Sequence, residues 1–575
     1  MENKEIARTL FETADLMEIA SEDSFRIRSY RNGASAIESF PERVADILRN
    51  PDRKVTEIPG IGKGLAAVIG EIIERGSCER RDYWLQKYPP AALEFLKIQG
   101  LGPKGIAALF EHFQITSMDE LEKLCVEQKL RTLPRMGAKL EEKVLRSIEQ
   151  YRRSAGRFLL SFAEQVTAEI AAHLSELEGV EKITAAGSLR RGRETVGDVD
   201  LLVTGPTAVL ERFLTYPKVN EILARGENKA TARVGHEGLQ VDVRALPKES
   251  FGAALQYFTG SKEHNVALRS RAVRMGFKLS EYGLFRSADE TLVCGETEEQ
   301  IYEALGLRWI PPELRENLGE IERAAEDCLP RLVELSDIRG DLHMHTRETD
   351  GRATLEEMAE AAKEQGYSYI AITDHSKALA MANGLDEARA VAFAKQVREI
   401  NKRDLGIRIF SGLECDILRD GAMDLANDAL AELDLVIGSV HSHMNLEPAE
   451  MTGRLLRALE CPSLKIMGHP TGRLLLQREP FKFDFERVVD EAVRRGVRLE
   501  INASPERLDL SPTMLRQAKA RGARFTISTD AHHPKHLLNM RYGVTMARRA
   551  WLGPEDILNT LPLEQFAQAV RKSRE

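Results

Sequence analysis

The chain has 575 residues, 43% hydrophobic and 30% charged, with a formal net charge of -9. That length exceeds what one hydrophobic core serves and predicts roughly three to five domains; the negative balance excludes a protein that coats nucleic acid by bulk positive charge. No apolar run reaches the ~18 residues of a membrane span. The charged start Met1-Glu2-Asn3-Lys4-Glu5 lacks the apolar stretch of a secretory signal, and the six cysteines are dispersed without a CxxC, so a soluble cytoplasmic protein with buried thiols is expected.

From residue 1 to about 150 the pattern is helical, with 23 Lys and Arg against 25 Asp and Glu. A phrase recurs in it: Ile58-Pro59-Gly60-Ile61-Gly62-Lys63-Gly64, then Ile98-Gln99-Gly100-Leu101-Gly102-Pro103-Lys104-Gly105, then the weaker Leu133-Pro134-Arg135-Met136-Gly137. Each copy precedes a helical stretch. A Gly-x-Gly turn at a helix start leaves backbone N–H groups free for a phosphate, whatever the base sequence. Gly60, Gly62, Lys63, Gly64, Gly100, Gly102, Lys104 and Gly105 are therefore candidate DNA contacts; such glycines also serve simply to close helical hairpins.

Between about 155 and 310 short strands alternate with helices. In Gly187-Ser188-Leu189-Arg190-Arg191-Gly192-Arg193-Glu194-Thr195-Val196-Gly197-Asp198-Val199-Asp200 the two aspartates lie at i and i+2, on one side of a strand. Asp242 in Val241-Asp242-Val243 supplies a third carboxylate from a neighbouring strand. Such a trio suits two Mg²⁺ ions about 3.5–4 Å apart in phosphoryl transfer, with Asp242 nearest a primer 3'-OH. Gly187 and Ser188 would cradle phosphates and Arg191 would neutralise the leaving pyrophosphate. Residues 317–337 read as a charged, mostly helical linker.

From Ile338 onward one phrase repeats seven times: a short apolar strand, a polar cluster, an amphipathic helix. The strands are Ile338 to Leu342, Ser368 to Thr373, Ile407 to Gly412, Leu433 to Val440, Leu464 to Gly468, Val497 to Ile501 and Arg524 to Thr529, which predicts a seven-stranded (β/α) TIM-like barrel. Nine of the 13 histidines fall here. His343, His345, Asp350, His375, Glu414, His441, His469, Asp530 and His532 sit at strand ends, a convergence that repulsion and desolvation would oppose without metal. His443, His533 and His536 are extra.

These motifs resemble known families. Gly187-Ser188 with Asp198-x-Asp200 eleven positions on is similar to the nucleotidyltransferase superfamily, and Tyr257-Phe258-Thr259-Gly260-Ser261 with Asn265 and Arg269 resembles the thumb of family X DNA polymerases. That resemblance implies nucleotide contacts from Gly187, Ser188, Arg191, Gly197, Tyr257, Phe258, Gly260 and Asn265, and a template contact from Arg269. Residues 1–85 resemble the N-terminal domain of DNA polymerase beta, with Arg26-Ile27-Arg28-Ser29-Tyr30-Arg31 and Lys63 at the 5' side of a gap; the arginines also suit a solvated helix face. Two departures stand out: Val68 replaces the Schiff-base lysine of lyase-active members, which a valine cannot substitute, and Gln240 replaces an arginine beside the third aspartate.

The barrel resembles the polymerase and histidinol phosphatase (PHP) domain. By that resemblance His343, His345, Glu414 and Asp530 hold one ion, Asp350, His375 and His532 a second, and His441 and His469 a third bridged by Glu414, with Mn²⁺ or Zn²⁺ suited to the mixed donors. The whole implies an all-α helix-hairpin-helix domain (1–85), a second hairpin region or fingers (86–154), an α/β palm (155–245), a thumb (246–316), the linker, and a PHP phosphoesterase (338–575). The expected protein is a monomeric gap-filling polymerase for gapped or nicked DNA and dNTPs, with 3'-5' exonuclease action and a possible abasic-site endonuclease activity. Its rivals are a phosphatase of small phosphorylated metabolites with a vestigial nucleotidyltransferase, and a noncatalytic DNA-bridging scaffold.

Overall fold

The computed structural model describes residues 1–570 with the exception of 2, 41, 135, 155 and 404. It divides into two compact units, Met1–Ala155 and Gly156–Glu575.

The first unit is helical and has two cores. Helices Asn3–Ile19, Ser24–Ser39 and Lys63–Arg75 bury Ile6, Leu10, Met17, Ile37, Ile69 and Ile72 in one; Phe95, Ile106, Leu109, Leu121 and Val144 fill the other. Apolar residues three and four apart generate these buried stripes. Asp23 starts the second helix by accepting the Arg26 N–H at 3.0 Å. The two good Gly-x-Gly phrases fold alike. Ile61 N–H donates to Ile58 O and Leu101 N–H to Ile98 O, each at 3.1 Å, around Gly60 at φ +87° and Gly100 at φ +103°. Only glycine holds those left-handed angles cheaply. In the third phrase Met136 N–H donates to Leu133 O at 3.1 Å; Arg135 lies outside the described residues.

The second unit begins with a five-stranded sheet in the order Lys182–Ala185, Asp198–Thr204, Leu239–Leu246, Lys229–Val234, Val219–Arg225. Only Asp198–Thr204 and Leu239–Leu246 run parallel. Helices Phe251–Thr259 and Lys262–Arg274 follow, then a three-stranded antiparallel sheet.

Seven parallel strands come next, each hydrogen-bonded to its neighbour in chain order: Gly340–Asp341, Tyr369–Ile372, Arg408–Asp416, Leu435–Ser439, Leu464–Met467, Arg498–Asn502 and Phe525–Ser528. All four residues of Tyr369–Ile372 and all five of Leu435–Ser439 are buried, as a parallel sheet covered on both faces requires. A parallel bridge from Met344 to Ala531, with His345 N–H donating to Ala531 O at 2.8 Å, joins the ends of the first and last strands into a nearly closed barrel.

Two expectations are corrected. Residues 317–337, expected to be mostly helical, carry a single short α-helix, Glu320–Ala325, with Glu320, Leu332 and Val333 buried. The buried Glu320 carboxylate anchors the segment by meeting His264 Nδ1 at 2.7 Å. Of the six cysteines, Cys78, Cys125 and Cys415 are buried, whereas Cys294 and Cys461 are half-buried and Cys328 is exposed.

Candidate active sites and nucleic-acid interface

In the first unit, Gly62 and Gly102 are the N-caps of helices Lys63–Arg75 and Pro103–Phe113, in nearly the same extended conformation and without a side-chain cap. The first-turn N–H groups of these helices have no side-chain cap from Gly62 or Gly102 and start beside exposed Lys63 and Lys104. Gly100 also packs closely, a Cβ there lying 2.8 Å from the Leu140 side-chain tip, but its φ of +103° is what favours glycine. A cavity of about 650 Å³ is lined by Arg26, Ser29, Tyr30, Gly64, Val68 and Arg80 among others. Arg31, grouped with these in sequence, is instead tied to Asp15 and Glu18, and the Arg28 guanidinium lies 5.0 Å from the Phe25 ring centre.

In the palm, Asp200 and Asp242 are register partners on the two parallel strands, with Asp198 opposite Gln240. Burial, followed by repulsion from Asp198 and Asp242, pushes Asp200 up to about 6. Gly187, at φ +63°, opens the short helix Gly187–Arg190, and a Cβ on it would stand 3.2 Å from Asp200 Oδ2. Glycine is the residue that lets this turn approach the carboxylates. Two cations that the sequence reading missed face the same site. Lys229 pairs with Asp242 Oδ2, and Arg244 lies 3.8 Å from Asp242 and 3.9 Å from Asp200. Arg244 was discoverable, being two residues past Asp242 on one strand face. Asp242 Oδ1 is buried with no hydrogen-bond partner among the described residues.

Tyr257 and Phe258 end helix Phe251–Thr259, edge to face at 5.1 Å, with Arg244 4.2 Å above the Phe258 ring. Asn265 is buried, donating to Tyr257 O at 2.7 Å and accepting from Gln256 at 2.8 Å, so its amide is turned inward; Arg269 is exposed. Arg191 donates to Thr259 O at 2.5 Å and meets Glu316 at 3.2 Å. Gly197 lies between the strands Thr195–Val196 and Asp198–Thr204. Among the described residues the close donor groups lie at the barrel mouth and none in the palm, where Asp242 pairs with Lys229.

At the C-terminal mouth of the barrel, three donor groups have ligand atoms within 4.8 Å of one another: His345, Asp350, His375 and His532; His343, His345 and Asp530; His375, Glu414 and His441. His345 and His375 are thus each shared between groups. His469 joins through Glu414, at 2.9 Å. Glu414 is fully enclosed by five imidazoles, from His343, His345, His375, His441 and His469, at 2.9–3.7 Å. Burial resists its ionisation, but His441, His343 and His375 hold its carboxyl well below the usual range. Conversely, burial opposes charging His375 and His441, yet Glu414 and the neighbouring aspartates push them up to about 10 and about 9. Burial and the adjoining His532 and His375 rings drive His345 down to about 3.

The donor set fits metal. Among the described residues, His343 Nε2, both nitrogens of His345, His375 Nδ1 and His469 Nδ1 are buried without hydrogen-bond partners, which costs free energy unless a cation takes them. Partners outside the ligand set orient several of the rings: Glu500 meets His343 Nδ1 at 2.7 Å and Asp416 meets His441 Nδ1 at 3.2 Å. Sequence reasoning missed Glu500, whose only signal is a carboxylate inside the apolar strand Arg498–Asn502. His469 and Asp530 adopt left-handed backbone angles, φ +24° and +54°. Of the extra histidines, His536 Nδ1 accepts the His532 N–H at 3.4 Å, His533 lies beside His536 with ring centres 5.9 Å apart, and His443 is exposed.

Comparison with known proteins agrees with this arrangement. Residues 1–78 match the helix-hairpin-helix domain family and 92–150 the SAM-like helix-hairpin-helix tandem; 161–236 match the DNA polymerase beta palm, 254–316 the DNA polymerase beta thumb and 341–504 the PHP domain. The chain is 36% identical over 581 aligned residues to the DNA polymerase/3'-5' exonuclease PolX of Bacillus subtilis, covering 100% of both chains. It is 25% identical to rat DNA polymerase lambda over 51% of this chain and 53% of that one. A probable phosphatase of Syntrophotalea carbinolica is 28% identical over 38% of this chain and 90% of its own length. The chain belongs to the family X DNA polymerases, in their form with a C-terminal PHP domain.

Proposed function

We propose that the protein fills short gaps in DNA during repair and trims 3' ends with its PHP barrel, working as a cytoplasmic monomer on gapped or nicked DNA with dNTPs. The observation that carries this reading is the co-existence in one unit of the Asp200–Asp242 register pair behind Gly187 and the nine-donor barrel mouth.

In the polymerase site Asp198, Asp200 and Asp242 would hold Mg²⁺, which when bound supplies charge stabilisation to the triphosphate and the 3'-OH. Asp242 is suited to accept the hydroxyl proton: Lys229 neutralises Oδ2 while Oδ1 remains free. Gly187 and Ser188 would present N–H and hydroxyl donors to phosphate. Arg191 would leave Glu316 for the pyrophosphate, with Glu316 still facing Arg549 at 3.4 Å. Tyr257, Phe258, Gly197 and Gly260 would shape the nucleotide pocket; Asn265 would turn out to the base and Arg269 to the template. The hairpin turns would grip the DNA backbone.

In the barrel, His343, His345, Asp350, His375, Glu414, His441, His469, Asp530 and His532 would hold up to three Mn²⁺ or Zn²⁺ ions, which acidify water and stabilise phosphoryl charge. Glu414 would stay ionised throughout. A labelled one-nucleotide-gapped duplex tests the reading: the protein extends it with dNTPs and Mg²⁺ and shortens 3' ends with Mn²⁺. Hydrolysis of small phosphate esters with neither DNA activity would favour the metabolite phosphatase instead.

A further inference from the structure

Asp530 divides its two oxygens. Oδ1 faces His345 Nε2 at 3.2 Å and His343 Nε2 at 3.7 Å, inside the donor cluster. Oδ2 faces Asn502 at 3.2 Å and Arg507 Nε at 3.5 Å. Arg507 Nη1 is buried and has no hydrogen-bond partner among the described residues. The Arg507 guanidinium is balanced against the donor cluster by the intervening Asp530 carboxylate, yet its buried Nη1 is left to bind a further anionic oxygen. Its planar fork of donors suits a phosphoryl group.

Arg507 is held from outside the barrel. Arg473, four residues past His469, donates to Arg507 O at 2.9 Å and to Leu508 O, where the backbone is left-handed at φ +42°. The same guanidinium donates to Glu194 Oε1 at 3.0 Å. Glu194 belongs to the palm, four residues before Asp198, and Leu160 N–H donates to its carbonyl at 3.2 Å. Both side chains of the pair are largely enclosed, at 11% and 18% exposure, so solvent screens them weakly. Thr471 N–H and hydroxyl donate to the Asp509 carboxylate at 3.0 and 2.8 Å, and Leu475 N–H to Glu506 O at 2.6 Å. The loop bearing Arg507 is thereby laced to the loop bearing His469, and Glu194 is the palm's grip on the lacing.

We propose that Arg507 binds a phosphoryl oxygen of the ester cleaved at the barrel mouth, and that palm Glu194, acting through Arg473, is the positioning residue that holds it there. The proposal rests on the phosphoesterase reading of the barrel. It makes the palm part of the 3'-end-processing site rather than a neighbour of it.

The test uses the full chain loaded with Mn²⁺, comparing wild type, Arg507→Ala, Glu194→Ala and Glu194→Gln. Inorganic phosphate affinity is read by calorimetry, Mn²⁺ content by elemental analysis, and KM and kcat on a labelled 3' end. Arg507→Ala is expected to weaken phosphate binding by on the order of tenfold or more with Mn²⁺ content unchanged, as loss of a charge-assisted bond predicts. Glu194→Ala is expected to weaken phosphate several-fold and raise KM more than it lowers kcat. Glu194→Gln, which still accepts from Arg473, is expected to fall between Glu194→Ala and wild type and covers the case of an unstable alanine variant. Unchanged phosphate affinity in Arg507→Ala overturns the anion site; unchanged KM and affinity in both Glu194 variants overturn the positioning role. Wild type that binds phosphate through Arg507 yet leaves DNA intact retains the anion site and overturns the DNA-end reading beneath it.

Discussion

Asp200 and Asp242 stand opposite each other on neighbouring parallel strands, and burial together with this repulsion lifts Asp200 to about 6. A cation resolves that conflict, so protons and Mg²⁺ compete for Asp200. The Mg²⁺ concentration for half-maximal extension is therefore expected to rise as pH falls below about 6. A titration of Mg²⁺ at pH 5.5 and 7.5 checks this; equal midpoints would contradict it.

Removing the third carboxylate, Asp242→Ala, takes away the ion-pair partner of Lys229 and leaves Arg244 with Asp200 alone of its two carboxylates. Extension should fall by roughly 100- to 1,000-fold or more, while nucleotide binding survives. Single-turnover extension on a gapped duplex, with nucleotide affinity measured separately, tests the split.

The barrel gives a pH signature when its metals are chelated. His375 and His441 have folded values raised to about 10 and about 9 above an ordinary 6.5. A raised group stabilises the fold fully below its unfolded value, and the benefit disappears as pH rises through the folded value. The chelated protein should thus lose melting temperature between about pH 6.5 and 10. Restoring Mn²⁺ should remove most of that loss, because the metal replaces the protons at Glu414. Thermal melts with and without chelator across this range decide it.

Between palm and thumb, Glu298 receives Arg190 at 2.7 Å and Arg315 at 2.6 Å, with Arg315 fully buried. Burial opposes the carboxylate, but Arg315 and Arg190 hold it at about 2. Its contribution is present above about pH 4.5 and fades as pH falls toward 2. Glu298→Ala leaves two guanidiniums uncompensated and should destabilise the second unit by about 3–5 kcal/mol, measured by denaturant unfolding at neutral pH.

On the proposed grip of the hairpins on the DNA backbone, Lys63→Ala and Lys104→Ala would each remove one phosphate contact beside exposed helix N-termini. Each should lower the slope of log affinity against log salt by about 1 and weaken binding equally across DNA sequences. Binding titrations on two unrelated duplexes at several salt concentrations would reveal any sequence dependence.

Much of the architecture was legible because it is periodic. Seven apolar strands each ended in a polar cluster, and the seven strands of the barrel lie within two residues of those limits except where Arg408–Asp416 runs on to Asp416. Gly60 and Gly100 were readable because only glycine suits their backbone. What stayed hidden depends on tertiary proximity. Lys229 is near Asp242 only because antiparallel pairing brings its strand alongside, and Glu500 orients His343 from 157 residues away. Residues 317–337 look like a charged connector until Glu320 is found buried against His264. Likewise Glu194 and Arg473, 279 residues apart, carry no shared local signal.

The central claim is that one chain carries two separable phosphoryl-transfer sites. The most direct measurement follows a labelled gapped duplex with dNTPs in Mg²⁺ or Mn²⁺, using wild type, Asp242→Ala and His343→Ala. The account predicts that Asp242→Ala loses extension but retains 3' shortening, and that His343→Ala does the reverse. Loss of both activities in either variant, or retention of shortening in His343→Ala, would contradict it.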